Sequence, residues 1–191
     1  MINKTDLETN KFNINEYIAY DYESIDSTNE QLKRLLEQVG ERKLIVVSNE
    51  QVKGKGRMKH NWLSPYKSGL YASWSFLDRE INNGILSVLI GFNCLVFLRT
   101  FVRDKIFLKW PNDLIAREKK LGGILIEKIN NFTIVGIGIN LIKDDKLLPT
   151  AISMDMLDVN YNLNFKELRD NLLTNLTTCL ENTFNLSLIH I

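Results

Sequence analysis

The order of apolar and polar positions divides the chain into short strands and a few helices. Brief β-branched or alternating runs between polar residues predict strands, and apolar residues that recur every three or four positions predict helices. The predicted strands are 16–23, a run within KLIVVSNEQ, 68–77, 106–110, DLIAR, KLGGILIEKI and 132–141. The predicted helices lie within IDSTNEQLKRLLEQVG, at 83–104 and at 165–183.

Two of these helices have a clear apolar face. Ser27, Thr28 or Asn29 can cap the first helix, and Gly40 marks its end. The apolar faces of the first and last helices should pack against the sheet. Those faces are formed by Leu32, Leu35, Leu36 and Val39 in the first helix and by Leu168, Leu172, Leu173, Leu176 and Leu180 in the last.

The most apolar stretch of the chain covers residues 85–98 and is followed by Arg99. It is short for a bilayer span and is more typical of a buried helix. The N-terminal segment MINKTDLETNKF is polar and lacks the apolar run of a signal peptide. The sequence therefore indicates a cytosolic, cytoplasmic protein.

Strands after residue 105 follow one another through short turns, which predicts antiparallel pairing in that part of the sheet. Pro111 should end the strand at 106–110, and REKK should form a charged hairpin turn. The two glycines within 132–141 suggest a backbone that another group approaches closely. We therefore expect a mixed α/β domain of α+β type, with a largely antiparallel sheet flanked by helices.

Composition is that of an ordinary globular domain. Among 191 residues, 45% are hydrophobic and 25% are charged, and the formal net charge is +1. A net charge this small argues against binding long nucleic acid by bulk electrostatics, so any positive site must be local. Cys94 and Cys179 are expected to be buried free thiols, and with only His60 and His190 no zinc centre is expected.

The stretch VKGKGRMKHNW, residues 52–62, is called the basic loop below. Gly54 and Gly56 let backbone N–H groups turn toward an anion, and the cations interleaved with them along the loop would neutralise it, which suits a phosphate-bearing ligand. A solvated loop without a ligand is the other interpretation, and the spacing matches neither a Walker loop nor GxGxxG. No carboxylate occurs in residues 51–77, where the cations are Lys53, Lys55, Arg57, Lys59 and Lys67.

Three further stretches place lysines or glycines near predicted strand ends. KWPND runs from Lys109 to Asp113 and would, alone, be an ordinary turn. KKLGGILIE places Lys119 and Lys120 before paired glycines, and GIGIN ends the long apolar strand. Their occurrence together in one small sheet favours a binding site over unrelated turns.

The ordered set STN, QVKGKGR, NW.SP....LY.S, KWPND, KLGGILIE and GIGIN resembles the biotin–protein ligases, over about residues 16–185. The resemblance implies the fold shared by class II aminoacyl-tRNA synthetases and the biotin ligase catalytic domain. It also implies a two-step reaction with ATP, biotin and Mg²⁺. Biotin is first adenylated to biotinyl-5′-AMP and then transferred to a lysine of a biotin carboxyl carrier protein.

The resemblance also implies roles for individual positions. Lys120 and Arg57 are the implied catalytic cations, and Asp113 is the implied acid on the magnesium side. The implied biotin-binding set is Ser27, Thr28, Asn29, Gln51, Lys55, Gly56, Arg57, Lys120 and Gly123. The implied nucleotide-binding set is Gly54, Lys55, Arg57, Trp62, Lys109, Asn112, Lys120 and Asn140, with Trp62 and Asn140 near the adenine.

The basic loop departs from the family pattern GRGRxGRxW. Lys55 stands where arginine is common, Lys59 replaces a glycine, and His60 replaces an arginine. Lysine lacks the paired hydrogen bonds of arginine, and residue 59 loses the freedom to adopt a positive φ. We expect this loop to close over biotinyl-AMP and to exclude water from it. Because of its substitutions, it should retain biotinyl-AMP less tightly than a loop with arginine at all these positions.

Domain content and partners follow from the same resemblance. We expect one catalytic domain over 1–191, without an N-terminal helix-turn-helix and with at most one strand of the small C-terminal β-barrel of many relatives. The expected partner is the carrier protein of acetyl-CoA carboxylase or another biotin-dependent carboxylase. We expect binding to neither nucleic acid nor a membrane. A free strand edge would permit a homodimer. A lipoate-type ligase of the same fold and a non-catalytic biotin-binding module remain the alternatives.

Overall fold

The computed structural model describes residues 8–40, 43–79 and 81–186. These residues form one eight-stranded sheet and three α-helices. The strands are β1 (Glu8–Ile14), β2 (Tyr17–Tyr22), β3 (Leu44–Ser48), β4 (Gly69–Leu77), β5 (Ile106–Lys109), β6 (Asp113–Ala116), β7 (Lys119–Ile129) and β8 (Phe132–Asn140). The helices are α1 (Thr28–Val39), α2 (Asn83–Leu98) and α3 (Phe165–Leu186), with 3-10 turns at Arg57–Lys59 and Met154–Met156.

The strands lie in the order β1-β2-β3-β4-β8-β7-β6-β5, and all neighbours are antiparallel except β2 and β3. The predicted fold class is confirmed, and so is the antiparallel run after residue 105. The hydrophobic pattern did not predict β1, because most of its residues are polar. This strand pairs with β2 across a turn in which Asn15 has a φ of 52°.

Helices cover both faces of the sheet, as the alternation along its strands requires. In β3, Ile45 and Val47 belong to the larger core with residues of α2 and α3, whereas Leu44 and Val46 belong to a smaller core with residues of α1. The leucines predicted to face inward from α1 and α3 are all buried. Val39 is the exception on the predicted face of α1, since 42% of it is exposed.

Helix α2 is shorter and less buried than the sequence predicts. It ends at Leu98 rather than near residue 104, because Arg99 occupies the cap position and the Thr100 hydroxyl bonds back to the Phe97 carbonyl at 2.7 Å. One face of α2 is buried, as a buried helix requires, but the opposite face is exposed. That face consists of Ile85, Leu89, Phe92 and Val96. Among the described residues, no helix has the length and apolar character needed to cross a bilayer.

The two cysteines are free thiols in different surroundings. Cys94 is buried as predicted, and burial raises its pKa to about 12. Cys179 is only partly buried, and burial raises its pKa as well. Both thiols therefore stay protonated at neutral pH, which suits a packing role rather than nucleophilic chemistry.

A hydrogen bond from β4 to α3 satisfies the buried tryptophan of the core. Trp74 is fully buried, and its indole N–H donates to Thr177 Oγ1 at 2.9 Å. Replacing Thr177 with valine keeps the shape but leaves that N–H unpaired, so the free energy of unfolding should fall by about 1–3 kcal/mol. Urea denaturation measures the change, with Thr174→Val on the exposed side of α3 as the control. Equal effects of the two substitutions would contradict this account.

Candidate functional site

A cleft opens on the face of the sheet that α1 partly covers, between the start of α1, the basic loop and strands β7 and β8. Including its open mouth, this central cleft has a volume of about 460 Å³. It brings together most of the residues singled out from the sequence. They are Ser27, Thr28, Asn29, Gln51, Lys55, Gly56, Arg57, Trp62, Asn112, Lys120 and Gly123.

Ser27 occupies the N-cap position of α1 without acting as a side-chain cap. Ser27 is 2% exposed, and its hydroxyl forms no hydrogen bond with the described residues. Serine at this position usually bonds to a backbone N–H of the first helical turn. The Ser27 hydroxyl is instead available to a ligand in the central cleft, which its side chain lines.

The next residue, Thr28, is held in a buried hydrogen-bond network. Its backbone N–H and its hydroxyl both donate to Gln51 Oε1, at 2.8 and 3.1 Å. Gln51 donates in turn to Ser64 Oγ at 2.7 Å, and Ser73 shares its single hydroxyl proton between Thr28 Oγ1 at 2.8 Å and Asn29 Oδ1. These bonds connect the start of α1 to both ends of the basic loop and to β4.

Asn29 packs against β8, where only glycine fits. A Cβ built on Gly136 would lie 2.3 Å from Asn29 Oδ1, a distance that no real side chain adopts. The Asn29 amide is oriented from both sides, since Ser73 donates to its oxygen at 2.5 Å and its nitrogen donates to Glu127 at 2.7 Å. The close approach that the glycines of GIGIN predicted is therefore present at Gly136.

The basic loop folds into a compact turn. The Gly56 N–H donates to the His60 carbonyl at 2.7 Å, and the His60 N–H donates to the Arg57 carbonyl at 3.0 Å. The left-handed conformation in this turn falls on Met58, whose φ is 53°. Gly54 is required here because its Cβ would lie 2.4 Å from the Trp62 carbonyl oxygen.

Trp62, at the end of the loop, lies flat against β8. A Cβ on Gly138 would come within 2.6 Å of its ring, so the second glycine of GIGIN makes room for the indole. The Lys120 ammonium stands 5.2 Å from the ring centroid, within the range of a cation–π contact. The indole N–H is buried and has no hydrogen-bond partner among the described residues. A ligand acceptor would complete this site.

Lys120 is fixed by its side chain and by its backbone. Its ammonium lies 2.8 Å from Asp113 Oδ1. Its backbone N–H donates to the Thr150 carbonyl at 2.8 Å, and its carbonyl accepts from the Ile152 N–H at 2.9 Å. The lysine therefore has a defined position, as electrostatic stabilisation of a reaction requires.

Lys120 and Trp62 also line a second cavity of about 480 Å³, the side cleft, so they stand at the junction of the two. Asn140 lines the side cleft too, but its amide nitrogen donates to the carbonyls of Lys120 and Ile152, at 3.3 and 3.1 Å. Asn140 thus braces the backbone that carries Lys120. The other lining residues are Asn61, Leu63, Leu147, Leu148, Thr150 and Ala151.

The predicted cations of the site lie in different surroundings. Arg57 lines the central cleft and donates to Asn112 Oδ1 at 3.3 Å, while Asn112 donates to the Ile124 carbonyl at 2.9 Å. Lys55 lines the same cleft, but its ammonium is paired with a glutamate of α1. Lys109 is exposed at the end of β5 and lies outside both clefts, as Gly54 and Asp113 do.

Sequence reasoning missed two groups of residues. Ser73 beneath the start of α1 had a detectable signal, because it is a polar residue at a buried position of the alternating strand β4. The segment 147–151 had no such signal, since it is an irregular loop without a motif. Backbone pairing with Lys120 holds it at the site, where four of its residues line the side cleft.

The residues present do not form a ready magnesium site. Asp113 is already paired with Lys120, and within residues 8–40, 43–79 and 81–186 no three His, Cys, Asp or Glu side chains cluster as metal ligands. Magnesium is commonly held by one or two carboxylates together with substrate phosphates.

Comparison with known proteins shows the family of this chain. The Biotin/lipoate A/B protein ligase family matches residues 22–144. The chain belongs to this family. The matched range includes every lining residue of the central cleft, whereas residues 147–151 of the side cleft lie beyond it.

Within the family, the chain resembles proteins from several organisms. It is 36% identical over 126 residues to the bifunctional ligase/repressor BirA of Escherichia coli, covering 61% of this chain and 38% of that protein. It is 28% identical over 118 residues to the biotin–[acetyl-CoA-carboxylase] ligase of Mycobacterium tuberculosis, covering 58% of this chain and 44% of that one. The chain thus spans about two fifths of the length of these curated relatives.

A solved structure agrees over more of the chain. The biotin protein ligase from Aquifex aeolicus, solved in complex with biotin and ATP, superposes with a TM-score of 0.70 at 29% identity. The superposition covers 85% of this chain and 70% of that chain. The family fold therefore extends beyond the range that the sequence match covers.

Proposed function

We propose that this protein is an ATP-dependent biotin ligase, which adenylates biotin to biotinyl-5′-AMP and transfers it to a lysine of a carrier protein. Family membership alone does not choose the acid, because the family includes biotin and lipoate ligases. One observation supports the reaction above all others. The Lys120 ammonium, fixed by Asp113 at 2.8 Å, stands where the two clefts meet, between the spaces for an acid and a nucleotide.

The polar end of the central cleft favours biotin over lipoate. The ureido ring of biotin offers two N–H donors and one carbonyl acceptor, whereas the dithiolane ring of lipoate offers no comparable groups. At the start of α1 the Ser27 hydroxyl has no hydrogen-bond partner among the described residues. Gln51 keeps one amide N–H beyond the one that it donates to Ser64, and the Thr28 hydroxyl, already bonded to Gln51 and Ser73, keeps one acceptor lone pair. These groups can pair with the N–H and carbonyl groups of the ureido ring. A site rich in buried polar groups discriminates strongly against a ligand that cannot pair with them.

The side cleft suits the nucleotide. Leu63, Leu147, Leu148 and Ala151 offer apolar surface for a purine ring, and Trp62 offers an aromatic face between the two clefts. The Asn140 side chain supports this wall through the backbone of Lys120 and Ile152. In this arrangement Asn140 contributes to nucleotide binding indirectly, by holding the backbone of Lys120 and Ile152 in place.

The two steps then follow from charge and position. An oxygen of the biotin carboxylate attacks the α-phosphorus of ATP, and the bond to the leaving pyrophosphate breaks. Both reactants are anionic, so Lys120 and Arg57 offset their repulsion and the charge that develops in the transition state. The neutral amine of the carrier lysine next attacks the carbonyl of the anhydride, AMP leaves, and the amine loses a proton. Lys120 acts throughout as a fixed positive charge and not as a nucleophile.

Partners and surroundings extend this proposal. The protein substrate would be a biotin carboxyl carrier domain of a carboxylase, and Mg²⁺ would accompany ATP as part of that substrate. We further propose that residues 1–191 act as one catalytic domain in the cytoplasm, without nucleic acid or a membrane. The outer strands β1 and β5 offer edges through which two copies could pair.

Biotin-dependent exchange of pyrophosphate into ATP tests the proposed function directly. Exchange with biotin and none with lipoate is the expected result. Exchange with lipoate alone would show a lipoate-type ligase instead. Calorimetric binding of biotin without exchange would show a non-catalytic binding module.

A further inference from the structure

A chain of charged side chains joins the basic loop to the start of α1. Lys55 Nζ lies 2.7 Å from Glu30 Oε1, and Lys33 Nζ lies 2.8 Å from the same oxygen. Lys33 also contacts Glu127 at 2.9 Å, and Glu127 accepts from the Asn29 amide at 2.7 Å. A cation of the loop is thereby connected to a residue that lines the central cleft.

Lys55 is well placed to hold the loop. Its backbone forms an antiparallel bridge with Asn61, and the next residue, Gly56, donates to the His60 carbonyl at 2.7 Å. These bonds join the two sides of the turn that ends at Trp62. Fixing the Lys55 side chain on α1 therefore restrains the whole turn.

The carboxyl group of Glu30 is ionised at neutral pH. Burial works to raise the pKa of Glu30, but hydrogen bonds from Lys33 and Lys55 outweigh it, so the pKa of this carboxyl lies below its usual value. The Glu30 side chain is 28% exposed and that of Lys55 is 48% exposed. The pair is therefore partly shielded from solvent, and its carboxylate stays ionised at neutral pH.

We propose that Glu30 is a positioning residue that acts through Lys55, fastening the basic loop to α1 and holding the central cleft closed over its ligand. In this role Lys55 is a latch: it binds Glu30 of the protein and not the phosphate of a ligand. Family resemblance implied the opposite, a ligand-binding role for Lys55. The claim that the closed cleft retains a ligand rests on the proposed biotin ligase function. The contacts themselves do not depend on it.

Charge reversal separates the latch from a phosphate-binding role. The variants are Glu30→Gln, Lys55→Gln, and the double exchange of Glu30→Lys with Lys55→Glu. Lys53→Gln is the matched control, because Lys53 is exposed on the same loop and has no ion pair among the described residues. Lys33→Gln shows whether the ion pairs of Lys33 with Glu30 and Glu127 also help to hold the loop.

Two measurements are made on each variant. Hydrogen exchange of the amides of Gly56, His60 and Trp62 reports loop opening without any ligand. Release of labelled biotin into excess unlabelled biotin, without ATP, reports how well the loop retains a ligand. Wild-type protein that fails to bind biotin would refute the proposed function, while the exchange data would still test the latch.

A latch predicts faster amide exchange in both single variants and biotin release about two- to fivefold faster, the range for partly exposed ion pairs. Lys53→Gln should behave like the wild type. The double exchange should restore both readouts in part, because the pair of residues 30 and 55 is rebuilt with reversed signs while Lys33 then faces a lysine. A double exchange that remains as open as Lys55→Gln would overturn the inference, and so would single variants that behave like the wild type.

Discussion

Replacing Lys120 with glutamine should slow biotin-dependent ATP–pyrophosphate exchange by about 100- to 1000-fold, the range found for losing one preorganised electrostatic contact. The lysine is held by Asp113 and by backbone bonds to Thr150 and Ile152, so its charge is in place before the substrates meet. Biotin binding should change far less, because the contacts for the ureido ring lie at the start of α1. Exchange kinetics and calorimetry measure the two effects separately.

Two controls make this result specific. Lys119→Gln removes an adjacent, exposed lysine and should leave exchange near the wild-type rate. The double variant Asp113→Asn with Lys120→Gln removes the carboxylate that the single variant leaves unpaired. Recovery of exchange in the double variant would show that the unpaired Asp113 caused the defect, and Lys120 would lose its role as the stabilising cation.

Replacing Gly138 with alanine should lower kcat/KM for ATP in the exchange reaction by about 10- to 100-fold, since a displacement of about 1 Å can have an effect of this size. The added Cβ would lie 2.6 Å from the Trp62 ring, and β8 is paired on both sides, so the indole must move. Because Trp62 lines both clefts, its movement should disturb the junction at which Lys120 stands.

The cause can be isolated by removing the ring. In a Trp62→Ala background, the three nearest atoms that the added Cβ would meet are gone, so Gly138→Ala should add almost no further loss. If the losses in kcat/KM from the two substitutions are additive, Gly138→Ala acts through a change in β8 and not through the indole of Trp62. Thermal unfolding of each variant shows whether β8 still pairs normally.

Local patterns predicted the elements well because each depends on neighbouring residues. The faces of α1 and α3 follow from the spacing of their leucines, and the turns between β5 and β8 follow from short polar connections. β1 escaped prediction because its pairing with β2, and not an apolar face of its own, defines it. The length of α2 was overestimated because apolar residues continue past its cap at Arg99.

Motifs located the site, but not the partners within it. The resemblance brought Ser27, Gln51 and Lys120 into one cleft, where the structure also places them. It did not show that Asp113 pairs with Lys120, or that Asn140 braces a backbone, because these contacts depend on how strands align. Their roles toward biotin, ATP and Mg²⁺ stay predictions.

The position of β8 between β4 and β7 has a consequence for how the protein folds. Strands β5 to β8 pair with neighbours that follow closely along the chain, whereas β4 and β8 pair residues as distant as Gly69 and Asn140. Pairing between distant segments carries a larger loop-closure cost. We therefore expect pulse-labelling hydrogen exchange during refolding to protect β7 amides before those of β4. Both clefts would then assemble last, when the two halves of the sheet join.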